Sequence, residues 1–270
     1  MNLVCENLPC LAPAGNSQPD SELILWIISV TIWIVLLSFS IILVNKAKGD
    51  LRDWILAFPF FSGFIGIGTM GLSVILAIFF VPSGEVGRWT ENFHEQYASL
   101  SVLAYYKPMR FLIPVGFTIV SFGILISLVE GLRKWWTHSR KTGFIQSFLL
   151  VSWSITVLLG IFFVESTLLF TRDIDREIHL NMVAASHICL TLSPFLCSTF
   201  LLLQTKSENK SSDFQTRLLT ISVGIIIIAL FTYLIHIQEI LSIGFMSFSH
   251  QIMIGSQLVW LIYFSTIFFE

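Results

Sequence analysis

Seven apolar stretches, each long enough to cross a lipid bilayer, take up most of this chain. They cover residues 23–44, 54–81, 111–132, 144–170, 180–203, 218–237 and a last run ending at Phe269. A bilayer core about 30 Å thick needs roughly 20 residues of helix. In lipid the backbone must satisfy its own N–H and C=O groups, which a helix does and a loop does not. The predicted fold class is therefore all-α: a polytopic bundle of seven transmembrane helices. Only Glu130 and Glu165 carry charge inside these stretches. Charged residues make up 12% of the chain, against about 25% in a soluble domain, and mean hydropathy is +0.82. Lipid, rather than a protein core, is what covers so much apolar surface.

No polar stretch is long enough to build a core by itself; the longest are residues 1–22 and 82–110. The chain reads as a short extracytoplasmic tail, residues 1–22, and one seven-helix membrane domain, residues 23–270. The tail has no Lys or Arg, and the apolar run after it is closed by Lys46 and Lys48, a signal-anchor pattern rather than a cleaved leader. Cys5 and Cys10 in the tail are either two free thiols or a small disulfide; Cys189 and Cys197 fall in one helix. A net charge of −2 and the lack of a basic block offer nothing to nucleic acid. The expected partners are membrane lipids. The expected location is integral to a membrane, the cytoplasmic membrane if the source is bacterial.

Basic residues set the orientation. With loops numbered alternately, the side holding the N-terminus receives Arg88, Lys107, Arg110, Arg172 and Arg176. The other side receives Lys46, Lys48, Arg52, Arg133, Lys134, Arg140, Lys141, Lys206, Lys210 and Arg217, twice as many. Positive residues stay cytoplasmic, so the reading is N-terminus out, C-terminus in.

Two stretches carry internal detail. Residues 54–81, from Trp54 to Val81, hold Pro59 and the small residues Ser62, Gly63, Gly66, Gly68, Thr69, Gly71 and Ser73. Small residues four apart let backbones approach closely in lipid, either inside the bundle or at an oligomer contact. Pro194 removes a backbone hydrogen bond within residues 180–203. Trp135 and Trp136, beside Arg133 and Lys134, read as an interfacial anchor. Glu130 is expected to pair with Arg133 or Lys134 at three or four residues' spacing.

The histidines are uneven. His94, His179, His187, His236 and His250 fall on or near the outer side, with only His138 on the inner one. Asp173 and Asp175 join them in a short outer connector. Glu165 and His187 lie at similar depth on consecutive antiparallel helices, roughly 8–11 Å below the boundary at 1.5 Å per residue, so a contact between them is available. His250 and Gln257, seven apart, share a helix face. A candidate polar pocket follows: Glu165, His179, His187 and His250, with Asp173, Asp175, His236 and Gln257 as secondary members. Three readings stay open. These are wet boundary residues; or they line a lipid or headgroup pocket opening to the outer leaflet; or they bind zinc for a membrane-embedded lipid hydrolase, as in intramembrane ceramidase-like enzymes. Zinc takes three or four convergent ligands, and no tight His-x-x-x-His spacing is present, so no metal ligands are assigned and no cofactor is expected.

Known reaction motifs are missing. Residues 128–133 read Leu-Val-Glu-Gly-Leu-Arg where a rhodopsin-like receptor has Asp-Arg-Tyr, and the last helix has no Asn-Pro-x-x-Tyr and no lysine for retinal. There is no phosphate loop or Ser-centred nucleophile elbow. A primary pump is excluded for this chain alone, and the sequence leans away from an enzyme. A small-solute transporter stays open, although no internal repeat supports it.

From residue 90 to 265 the chain resembles the multi-pass family called domain of unknown function 998, and more distantly the Frag1/DRAM/Sfk1 group. The matching residues are Tyr97-Ala98-Ser99-Leu100-Ser101, the Pro-bearing Phe111-Leu112-Ile113-Pro114-Val115-Gly116-Phe117, and Ser121-Phe122-Gly123-Ile124-Leu125. An acidic connector from Asp173 to Glu177 follows, then His179 opening a helix with Ala184, Ala185 and Pro194, then Gly244-Phe245 and Ser249-His250-Gln251. The extra first helix departs from a six-helix layout. The resemblance implies the fold. Through the second group, which includes a Golgi protein that matures glycosylphosphatidylinositol anchors, it also implies lipid handling or membrane trafficking by fold-level analogy.

Overall fold

Each apolar stretch becomes one long helix. The computed structural model describes residues 19–80, 100–104, 108–170, 176–207, 213–238 and 243–268. The elements are α1 (Pro19–Lys46), α2 (Asp50–Phe80), the short α3 (Leu100–Leu103), α4 (Met109–Thr142), α5 (Phe144–Leu169), α6 (Arg176–Ser207), α7 (Asp213–Gln238) and α8 (Ile243–Ser265), closed by a 3-10 turn at Thr266–Phe268. Seven of them are long and apolar enough to cross a membrane, and the described residues include no strand. This is an all-α polytopic bundle and an integral membrane protein. Large apolar side chains such as Trp54, Phe79, Phe111 and Phe144 point outward, where lipid replaces a protein neighbour. Of the tail at residues 1–22, residues 1–18, with Cys5 and Cys10, lie outside the described residues, and Pro19 already begins α1.

The helices outrun their apolar stretches. The expected connector at residues 133–143 continues α4 as far as Thr142, and the next helix starts at Phe144. Hydropathy ends where hydrocarbon ends, but a helix propagates until the backbone is forced out of it. Gly143, at φ 130°, provides that break, and Gly49, at φ 55°, does the same between α1 and α2. Both conformations are strained for a residue with a Cβ.

α4 is the central rod: 50% of its spanning segment is buried, against 17% for α1. It packs on α2 through the small residues. A Cβ on Gly116 would collide with the Thr69 side chain, and one on Gly123 with the Ser62 side chain. Gly66 faces Val120 and Leu258, and Gly63 faces Ile262 and the Leu258 carbonyl. The stripe on α2 therefore serves contacts with α4 and α8 inside the chain, while Gly68 and Gly71 have open space around them. On the other side α5 and α6 form the most extensive pair, with Leu190 and Cys189 against Gly160. Trp33 on α1 donates from Nε1 to the Leu158 carbonyl (3.1 Å).

One end of the bundle is tied by charge and rings. The Arg133 guanidinium grips Glu130 bidentately (Nε–Oε2 2.9 Å, Nη2–Oε1 2.7 Å). Arg52 from α2 adds Nη2–Oε1 at 2.9 Å and donates from Nη1 to the Val44 carbonyl (3.1 Å). Pairing of Glu130 with Arg133 is as expected; Arg52 arrives from 78 residues away. Lys134 instead donates to the Ile267 carbonyl (3.4 Å). Nearby, Trp135 packs against Trp153, Phe200, Phe264 and Phe268. Trp135 is thus no interfacial anchor: it is 4% exposed and belongs to the main core, while its neighbour Trp136 stays exposed. One residue is 100° of helix rotation, enough to turn one indole inward and the other out.

Candidate functional site

At the opposite end the bundle opens into a cavity of about 380 Å³. Its walls come from the first half of α4, the last third of α5, the first half of α6 and α8. The α4 wall runs from Arg110 to Ile124, roughly 21 Å of helix at 1.5 Å per residue. The volume lies within the range of about 300–1,000 Å³ typical of small-molecule sites.

Most of the lining is apolar, including Phe117, Ile161, Val183, Leu190 and Leu258. Polar groups converge among them. His179, His187 and Ser193 come from α6, His250, Gln251 and Gln257 from α8, and Arg110 from the first turn of α4. The His187 and His250 rings lie 5.3 Å apart, tilted at 49°. These two residues are 63 positions apart in sequence and meet because α6 and α8 are neighbours here. Gln257 is held from α6: its Nε2 donates to Thr191 Oγ1 (3.1 Å), whose hydroxyl points at Met253 Sδ (3.9 Å).

His179 does structural work. Its Nδ1 lies 2.8 Å from the Phe170 carbonyl, and since a carbonyl only accepts, Nδ1 is the protonated nitrogen. That bond satisfies an open carbonyl just past the C-terminus of α5 and joins α5 to α6.

Glu165 is 3% exposed and stands outside the cavity lining. Its Oε2 accepts from Thr118 Oγ1 on α4 (3.1 Å). The Ser121 hydroxyl also faces the carboxyl, but Oε1 is left without a donor in bonding geometry among the described residues. The contact available to Glu165 and His187 on depth alone is therefore not the one made: the carboxyl turns to α4 and His187 to α8. Helix depth is legible in sequence, but the direction a side chain faces around its helix is not.

Of the secondary candidates, Gln257 joins the cavity. Asp173 and Asp175 lie outside the described residues, and His236 lies on α7 with its side chain outside them. Among the described residues no group of three or more His, Cys, Asp or Glu is placed to hold a metal ion. Arg110, Ser193 and Gln251 are cavity residues that the sequence reading passed over. Arg110 sits at a helix start with no acidic residue in the first turn, a signal that was available.

Below the cavity a polar relay closes the floor. Trp260, itself a lining residue, donates from Nε1 to Ser198 Oγ (3.2 Å). Ser198 meets Ser222 Oγ at 2.8 Å, and Ser222 donates to the Leu218 carbonyl (2.8 Å). Since the single Ser222 proton goes to that carbonyl, Ser198 is the donor between the two hydroxyls, and the three bonds run head to tail from α8 through α6 to α7.

Comparison with protein-family models, with curated proteins and with solved structures finds no match to this chain.

Proposed function

We propose that this integral membrane protein binds lipid, taking part of the molecule into the cavity between α4, α5, α6 and α8. The observation that carries this reading is one cavity, apolar over most of its wall, with His187, His250, Gln257 and Arg110 gathered on it. An apolar wall with a few converging polar groups is what an amphiphile needs: area for a chain and fixed partners for a headgroup. The implied resemblance to the Frag1/DRAM/Sfk1 group points the same way. The charge count supports an outer location for this end of the bundle, because the basic residues Arg52, Arg133 and Lys134 crowd the other end. The site then faces the outer leaflet.

The test is lipid retention. Purified in mild detergent, the wild-type chain should carry bound lipid detectable by native mass spectrometry. Val183→Trp places a large ring on the cavity wall at a half-buried position. It should strip that lipid while costing about 1–3 kcal/mol of stability from overpacking. Retention unchanged in this variant would refute the cavity as the binding site.

A further inference from the structure

The cavity has a chemical bias. Its described lining contains four basic side chains, Arg110, His179, His187 and His250, and no Asp or Glu. The buried carboxylate in the neighbourhood, Glu165, is outside the lining and bonded to Thr118. His179 is engaged with Phe170. Arg110 makes no hydrogen bond or ion pair among the described residues, and His187 has its neighbour His250 but no hydrogen bond there. A cationic or choline-bearing headgroup would meet the Arg110 guanidinium and no Asp or Glu among the described lining residues. An oxyanion would meet groups able to donate to it: two imidazoles with ring centroids 5.3 Å apart, and a guanidinium at the start of the α4 wall. Surrounded by apolar side chains, such charge-assisted bonds are stronger than in water.

We infer that the ligand is an anionic amphiphile, its phosphate or carboxylate held at the His187–His250 pair with Arg110 above it, and its chain laid along Ile161, Leu190 and Leu258. This rests on the lipid-binding reading and narrows it to a ligand class. Arg110 acts in capture, since it is exposed and sits where the cavity wall begins. The histidine pair fixes the headgroup at depth.

The experiment uses the full chain in phosphatidylcholine nanodiscs containing a minor fraction of either phosphatidylglycerol or diacylglycerol. Extraction and native mass spectrometry read which lipid stays bound. Wild type should retain phosphatidylglycerol over diacylglycerol by about tenfold. The double variant H187Q/H250Q keeps side-chain donors but removes both imidazoles, and it should reduce the preference to within about threefold. Arg110→Gln, at an exposed site where folding is not at risk, should lower it by a smaller factor. Thermal unfolding of each variant in the same nanodiscs separates loss of preference from loss of fold. Equal retention of phosphatidylglycerol and diacylglycerol by wild type overturns the anion assignment and leaves lipid binding standing. Retention of no lipid at all overturns both. Inorganic phosphate that raises the unfolding temperature of wild type but not H187Q/H250Q, with no lipid retained, makes a free oxyanion the ligand and overturns the amphiphile.

Discussion

The two ends of this bundle solve opposite problems with similar residues. At the arginine end a buried carboxylate, Glu130, is gripped by two guanidiniums, and a cluster of rings packs around Trp135 nearby. At the histidine end a buried carboxylate, Glu165, has one hydroxyl bond, and the space beside it is open. The lesson is where free energy has been placed. Packing and ion pairing that close a bundle stabilise it; polar groups gathered around a void do so less, and such groups at depth in a membrane protein mark function. Stability is expected to live at the first end and ligand binding at the second.

Mutations at the two ends should separate these properties. The largest effect is expected from Trp135→Ala, which empties a volume shared with four other rings and should cost about 3–5 kcal/mol, read as a fall in apparent Tm in detergent. Glu130→Ala should follow at about 2–3 kcal/mol, below the usual cost of breaking a buried pair because Arg133 is half exposed. Folded protein carrying this substitution should keep its bound lipid, and selective loss of lipid would break the division between the ends. Gly131→Ala drives a methyl to 2.7 Å from the Trp135 ring and 2.9 Å from the Trp153 ring, with an expected loss of about 1–3 kcal/mol. Ser198→Ala interrupts the relay from Trp260 and should cost about 1 kcal/mol. Smallest in stability is His187→Gln, expected within about 0.5 kcal/mol of wild type because it borders a void, yet this variant should reduce retention of anionic lipid. A loss as large as that of Trp135→Ala would mean the histidine pair is structural.

The seven rods were legible because lipid imposes its demand on every residue of a span. Their ends were not: α4 runs on to Thr142 through residues with ordinary helix propensity, and only Gly143 stops it. Facing was harder. In a soluble helix the polar side reveals the buried one, but in α4 both sides are apolar, so nothing in the sequence distinguished Trp135 from Trp136. Glu130 with Arg133 was readable as a local pair. Arg52 with Glu130, Thr118 with Glu165 and His187 with His250 join residues 78, 47 and 63 positions apart, and single-sequence periodicity carries no information on such meetings.

The interlocked glycines have a mechanical consequence. Thr69 in Gly116, Ser62 in Gly123, and Leu258 against Gly66 weld α2, α4 and α8 into one jaw; Leu190 against Gly160 welds α5 and α6 into another. The jaws are riveted where Gly143 joins α4 to α5 and where Trp260 reaches Ser198. Tongs built this way are stiffest at the rivet and most yielding at the tips, where the two imidazoles stand 5.3 Å apart, so a guest wider than the resting gap is expected to part them rather than the welded shafts.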